Sequence, residues 1–327
     1  MTHRPLQPDD RPVLDALLRN NPYKQIQIQL QELDPHKLVQ FHTESILSQS
    51  EDPDSPIWLF ERGERFGIIG CHFCETHSSF FDVPIYSIEP VVTYRLRTEE
   101  KLELFSHIGD ILEARGARIV WGKCEEQEGD LASCLIQMGG AFCGTGVRLS
   151  RKISDKNRPA ANPALQIRFA RPEDLPALKL LAGRNHTHSH FFRDPNLPDE
   201  RKKNIFPSYL EKCYGQPHRP LLAACGENNE ILGFSLLLCP ARQEEKLGQT
   251  VGIVDFIVVR TDLHGQGVGS SLLAASLDLL EERGYRYVEL KTMLDNFQAI
   301  NFYQKQGFRL LSAEMHFSIG GILGKWM

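Results

Sequence analysis

The sequence predicts an α/β (α+β) fold of two domains, 1–150 and 165–327, and three observations predict it. Strand-length apolar runs alternate with helix-length amphipathic ones. Residues 252–259 are short and β-branched, and Leu272, Leu273, Ala275, Leu277, Leu279 and Leu280 then recur at roughly helical spacing until Gly284. Residues 151–164 are polar, proline-containing and without period, the composition of an inter-domain linker. The segments on either side of that stretch repeat one another.

Taken in order, the first helix opens at Gln7-Pro8-Asp9-Asp10-Arg11-Pro12-Val13-Leu14. Acidic residues in a first turn complement the helix dipole. Arg171-Pro172-Glu173-Asp174-Leu175-Pro176-Ala177-Leu178 repeats this start. Residues 66–70 then read as a strand that continues into Cys71-His72-Phe73-Cys74-Glu75-Thr76-His77. Cys71, Cys74 and His77 have a spacing that offers three zinc ligands, but no second knuckle follows, and cysteine is a commonly buried residue. His186, His188 and His190 are read the same way, as a polar loop beside a ligand, and no metal is expected. Farther on, residues 111–120 parallel residues 279–288, and the same register lays Gly139 on Gly307 and Ser150 on Ser318.

A chain of 327 residues has room for two cores. Its 41% hydrophobic and 24% charged residues are those of a globular protein. A net charge of −5 gives no general pull toward nucleic acid, so an anionic ligand must be held by local features. The longest apolar runs, 231–239 and 251–259, are too short to span a bilayer, and the first ten residues lack an apolar signal core. The expectation is a cytoplasmic protein with its eight cysteines reduced and with neither nucleic acid nor membrane as partner.

The chemistry concentrates at His264-Gly265-Gln266-Gly267-Val268-Gly269, between the strand 252–259 and the helix that follows. Alternate glycines let the backbone turn tightly and aim several N–H groups at one point, and a helix start adds its positive dipole end. Such a loop suits a pyrophosphate. No Lys-Ser/Thr pair follows the last glycine, so it is not a Walker-type loop, and alone it remains compatible with a simple turn.

Downstream, after a strand candidate at 285–292, stands Asn296-Phe297-Gln298-Ala299-Ile300-Asn301-Phe302-Tyr303-Gln304-Lys305-Gln306-Gly307-Phe308. Here the chain resembles the GCN5-related N-acetyltransferase (GNAT) superfamily. That family pairs an Arg/Gln-x-x-Gly-x-Gly/Ala loop with a later Asn-x-x-Ala-x-x-Phe-Tyr-x-x-x-Gly-Phe segment. Both stand here in order, with His264 where the family has Arg or Gln. The resemblance implies tandem GNAT-like domains, each a mixed, largely antiparallel sheet flanked by helices. It implies acyl transfer from acetyl-CoA to a small-molecule amine, and it leaves the oligomeric state open.

Residue by residue, the resemblance implies a pyrophosphate held by His264, Gly265, Gln266, Gly267, Val268, Gly269 and Ser270. The pantetheine arm would pair with Ile257, Val258 and Val259, with Asn296 and Phe302 beside it. Tyr303 is the candidate proton donor to the departing thiolate, and its alternative is simple packing beside Phe302. Asp255 and Glu289 are candidate bases, each equally able to serve an ion pair. No Cys or Ser holds a nucleophile position in these motifs, so direct attack in a ternary complex is expected.

Ser189-His190-Phe191-Phe192-Arg193-Asp194-Pro195, before a helix expected at 201–214, resembles a segment of acetyltransferases acting on nucleotide-linked amino sugars, such as TDP-fucosamine acetyltransferase. Ser189, His190 and Phe191 are therefore candidate acceptor-binding residues. Ser79-Phe80-Phe81-Asp82 resembles a Phe-Phe-Gly element of their degraded N-terminal half. His190 replaces an Arg and Met293 a Gln of that group, so another small amine (amino acid, polyamine or antibiotic) stays open as acceptor.

In the shared register the first half puts Leu96-Arg97-Thr98-Glu99-Glu100 at the glycine loop, Glu128 at Asn296 and Leu135 at Tyr303. It is read as a degenerate, non-catalytic copy. A second class, an acyl-CoA sensor without catalysis, also stays open.

Overall fold

The computed structural model describes residues 2–20, 34–155, 158–185, 188–240 and 251–321. The first half runs β1 (Thr2–Pro5), α1 (Arg11–Asn20), α2 (Pro35–Ser50), β2 (Ile57–Arg62), β3 (Arg65–Phe73), α3 (Glu75–Phe81), β4 (Ile85–Tyr94), α4 (Thr98–Ala114), β5 (Ile119–Glu125), α5 (Gly129–Gln137) and β6 (Ala141–Lys152). The second runs β7 (Gln166–Phe169), α6 (Leu175–Asn185), the short α7 (His190–Arg193) and α8 (Asp199–Lys202), α9 (Ile205–Cys213), β8 (Leu221–Cys225) and β9 (Ile231–Leu238). It continues with β10 (Val251–Val259), α10 (Val268–Glu282), β11 (Tyr287–Met293), α11 (Phe297–Lys305) and β12 (Arg309–Gly320). The helix expected at 201–214 is broken into α8 and α9, because Pro207 has no N–H to bond the carbonyl of Lys203.

The described residues pack into two compact units. Unit 1 takes them from Met1–Thr145, Arg193–Pro198 and Ala313–Met327; unit 2 takes them from Gly146–Phe192 and Asp199–Ser312. In unit 1 the strands run β1-β2-β3-β4-β5-β12, antiparallel except for the β4–β5 pair. Adjacent residues point to opposite faces, and each face has its own core. Leu59 and Ile68 meet Leu14, Leu17 and Ile46 of α1 and α2, while Phe60 and Ile69 meet Leu104, Ile108 and Leu135 of α4 and α5. In unit 2 the order is β6-β11-β10-β9-β8-β7, antiparallel except for β10–β11. Here α10 lays Val268 and Leu272 against Ala224 and Leu232.

Each unit borrows a strand from the other half of the sequence. Residues 146–152 of β6 pair with β11 in unit 2, and residues 314–320 of β12 pair with β5 in unit 1. The exchange is reciprocal in register: Ser150 faces Glu289 and Ser318 faces Trp121, and the alignment that superposes the serines also superposes Trp121 on Glu289. A cut at 150–165 therefore follows the chain but not the packing. Within the expected linker, Arg151 and Lys152 belong to β6, Ile153 donates its N–H to Arg286, and Arg158 pairs with Asp278 and Glu281 of α10. Polar composition did not mark a detached segment: Arg151 and Ile153 are buried.

Among the described residues no helix is long and apolar enough to cross a membrane. All eight cysteines are free. Cys71 is buried in the unit 1 core, where burial pushes its thiol up to about 11, and the His77 ring stands edge-on to Trp121. No group of three or more His, Cys, Asp or Glu among the described residues is placed to hold a metal. His186 lies outside those residues.

Candidate functional site

The site in unit 2 begins where a ladder stops. Strand β10 pairs in parallel with β11 from Val251↔Tyr287 to Val254↔Leu290. A bulge at Asp255 interrupts its pairing with β9 there, and β10 runs on to Val259 with no β11 residue opposite. The two strands splay, and a cavity of about 500 Å³ opens between them. Residues 254–259 form one wall, and Lys291, Thr292, Asn296, Phe302 and Tyr303 stand across it. A strand edge without a ladder partner offers backbone donors and acceptors to an extended ligand.

At one end of this cavity the chain turns through Thr261–Leu263 into the glycine loop. Gly265 and Gly267 have φ of 81° and 85°, a left-handed conformation that costs a residue with a Cβ about 1–2 kcal/mol. Helix α10 starts at Val268 with no side-chain cap and no acidic residue in its first turn. The N–H groups of Gly267, Val268, Gly269 and Ser270 find no acceptor among the described residues. An uncapped start of this kind favours an anion. Gly265, Gly267, Gly269 and Ser270 line the cavity. Val268 turns its side chain into the core, so it offers its backbone alone, and Gln266 is drawn aside to donate to the Asp262 carbonyl. His264 places Nε2 3.3 Å from the Val259 carbonyl.

Asn162 steadies this loop, a role its place in a polar stretch did not announce. Its N–H donates to the Ser271 hydroxyl at 2.8 Å and its amide to the Gln266 carbonyl at 3.4 Å.

Tyr303 lies on α11 between Phe302 and Phe308, with ring centroids 5.0 and 5.6 Å away. Burial pushes its phenol well above the ordinary tyrosine value, so it keeps its proton at any neutral pH. It is buried at 8% exposure yet lines the cavity, and its hydroxyl has no hydrogen bond among the described residues. Asn296 also lines the cavity, with its amide engaged: Oδ1 accepts from the Ala299 N–H at 3.2 Å and Nδ2 donates to Thr292 at 3.1 Å. It caps α11.

The two carboxylates differ. Asp255 lines the cavity, and its Oδ2 accepts from the Tyr209 hydroxyl at 2.6 Å and from Arg219 at 2.7 Å. Burial raises its pKa while these two partners oppose the rise. Glu289 is buried and pushed up to about 7 by that burial, against the pull of Arg148 at 3.2 Å. It does not line the cavity.

Ser189, His190 and Phe191 do not line it either. Ser189 is buried and accepts from the Phe191 N–H, and the His190 ring lies tilted against Phe191 with centroids 4.1 Å apart. Their neighbour His188 does reach the cavity, with Nδ1 3.5 Å from Asp295. The sequence marks His186, His188 and His190 together as a polar loop beside a ligand, and His188 is the one of them placed on the cavity wall among the described residues. Thr292, four residues before Asn296, was a legible omission.

Unit 1 shows what happens at the corresponding place. Strands β4 and β5 also part after four parallel pairs, at Ile88↔Gly122. Helix α4, however, starts with Glu100 folded back on it. That carboxylate accepts the Arg97 N–H at 2.9 Å, and Arg65 stands 2.9 Å away with Arg62 and Arg97 beside it. Leu135, at the position matching Tyr303, is sealed in the core.

Residues 185–308 match the family model described as the acetyltransferase (GNAT) family. The chain is 27% identical over 147 residues to the spore coat polysaccharide biosynthesis protein SpsD of Bacillus subtilis, covering 45% of this chain and 47% of that protein. It is 34% identical over 97 residues to a mycothiol acetyltransferase of Clavibacter sepedonicus, covering 30% and 29%. The matches thus span less than half of these two relatives. Among solved structures, a tandem GNAT protein from the clavulanic acid biosynthesis pathway superposes with a TM-score of 0.57 at 14% identity, over 99% of each chain. That likeness shows a shared fold of tandem domains.

Proposed function

We propose that this chain, whose residues 185–308 carry a GNAT-family acetyltransferase domain, moves an acetyl group from acetyl-CoA to a primary amine in unit 2. One observation carries the proposal: a single cavity is lined by the uncapped start of α10, the open edge of β10 and the Tyr303 phenol. In this reading the N–H groups of Gly267–Ser270 hold the pyrophosphate, with the Asn162 bonds fixing their direction. Residues 257–259 take the pantetheine arm as an added strand. The thioester then lies near Tyr303.

The amine nitrogen attacks the thioester carbonyl, the C–N bond forms, and the C–S bond breaks as Tyr303 gives its proton to the leaving sulfur. No cysteine lines the cavity among the described residues, and Ser270 sits at the phosphate end. Attack is therefore direct, in a ternary complex. Unit 1 is the non-catalytic copy.

For the acceptor we favour a nucleotide-linked amino sugar. The likeness to a protein named for polysaccharide biosynthesis supports this, although Ser189, His190 and Phe191 stand outside the cavity wall. The test is thiol release from acetyl-CoA with a panel of amines: an amino acid, a polyamine, an aminoglycoside, free glucosamine and a nucleotide-linked amino sugar. Acetylation of any of them supports acetyl transfer, and preference for the last supports the acceptor. Tight acetyl-CoA binding without turnover on any amine would make the domain a sensor and overturn the catalytic reading.

A further inference from the structure

We propose that His188, oriented by Asp295, is the general base that takes the proton from the acceptor ammonium. This inference rests on the acetyl-transfer reading above. A primary amine with a pKa near 10 is almost wholly protonated at neutral pH, and its nitrogen cannot attack until a proton leaves. A base must therefore share the cavity with Tyr303.

The sequence candidates fit poorly. Asp255 is in the cavity, but its Oδ2 already holds two donors, and one of them is a guanidinium. A proton taken by this carboxylate would neutralise the charge that holds Arg219 at 2.7 Å. Glu289 is buried against Arg148 and lies outside the cavity wall. His188 lines the cavity, and its side chain keeps 43% exposure, which leaves a route for the proton to bulk water.

Asp295 gives the imidazole a direction. Its Oδ2 lies 3.5 Å from Nδ1, within ion-pair reach. With Nδ1–H turned to this carboxylate, the Nε2 lone pair is free to accept, and the carboxylate stabilises the imidazolium that results. The other titratable groups on the same cavity are Asp255 on β10, His264 in the glycine loop, Lys291 on β11 and Tyr303 on α11.

The step balances without a further reactant. The ammonium N–H bond breaks and its proton goes to Nε2, leaving the neutral amine. The nitrogen lone pair forms the C–N bond as the C–S bond breaks, and sulfur takes the Tyr303 proton. The surplus proton on the new amide nitrogen restores Tyr303, and His188 releases its own to water. Asp295 acts through the imidazole and is a positioning residue.

The experiment uses the full chain, acetyl-CoA and the member of the amine panel that the wild type acetylates fastest. His188→Gln should lower kcat about 10²-fold, while the acetyl-CoA Kd, measured calorimetrically, stays within twofold. The acid limb of kcat/KM against pH, where imidazole protonation shuts off the base, should disappear. His188→Ala should recover activity with added imidazole. Asp295→Asn should lower kcat with the acetyl-CoA Kd unchanged, and Asp295→Glu should restore it, because a carboxylate orients the ring; a merely structural role would not give that split and rescue. An unchanged rate and pH profile in His188→Gln would overturn the assignment of the base alone. A wild type that binds acetyl-CoA but acetylates no amine would overturn the proposed function and this inference with it.

Discussion

Two helix starts, α4 and α10, follow equivalent splayed strands and end in opposite states. At α4 the anion is built in: Glu100, 1% exposed, accepts the Arg97 N–H and gathers three arginines. At α10 the equivalent turn has glycine at the cap, no acid and four unclaimed N–H groups. The scaffold around the two is the same. Arg4 grips Asp10 at the start of the first half, with both oxygens at 2.6 Å, and Arg168 grips Asp174 in the second at 2.6 and 3.1 Å. Each aspartate also accepts the N–H of the residue three before it, Gln7 or Arg171. What separates the halves is whether the helix start is left for a ligand or satisfied by the chain itself.

The comparison breaks most completely if the halves are separated. Residues 153–327 alone lack the β6 segment that covers β11, and with it Arg148 on Glu289 and Arg151 on the Gln306 carbonyl. They should give no cooperative thermal transition, whereas residues 141–327 should regain one in circular dichroism. A stable, cooperative 153–327 would contradict the exchange.

Next in size is a transplant. Ser270→Glu puts an acid at the position in α10 that Glu100 holds in α4, so it should cap the helix and repel phosphate. The acetyl-CoA Kd should rise on the order of 10²-fold or more, with the melting temperature held or raised. Tyr303→Phe comes third: kcat should fall about 10²-fold at the lower end of general-acid effects, with binding unchanged. A rate within threefold of wild type would return Tyr303 to a packing role.

The smallest effect lies in unit 1. The Arg97 N–H, and then the Arg97 and Arg65 guanidiniums, hold the Glu100 carboxyl below its ordinary value of 4.5. Its stabilisation is therefore full above that value and is lost as pH falls through the lower folded value. Glu100→Gln should lower the melting temperature by a few degrees at pH 7. The gap to wild type should close on acidification, and acetyl transfer should not change.

Much of this was legible in the residues. The glycine loop, the Phe302-Tyr303 pair and the acid-led helix starts are short-range patterns, and local geometry followed them. The exchanged strands were not legible, because Val147 and Leu149 of β6 alternate like Phe317 and Ile319 of β12. Either pattern suits either sheet, and pairing between distant strands leaves no local mark. Glu100 appeared in the sequence as a missing glycine; its role emerges once Arg62 and Arg65, on another hairpin, are seen beside it. Asp255 read as a base, yet Tyr209 and Arg219 had to be brought from α9 and the segment before β8 to show its bonding.

The central claim is that one of two like halves binds the acyl donor. Titrating acetyl-CoA into the full chain by calorimetry tests it most directly. The expected result is one equivalent per chain, abolished by Ser270→Glu and untouched by Glu100→Gln. Two equivalents, or one that survives Ser270→Glu, would contradict it.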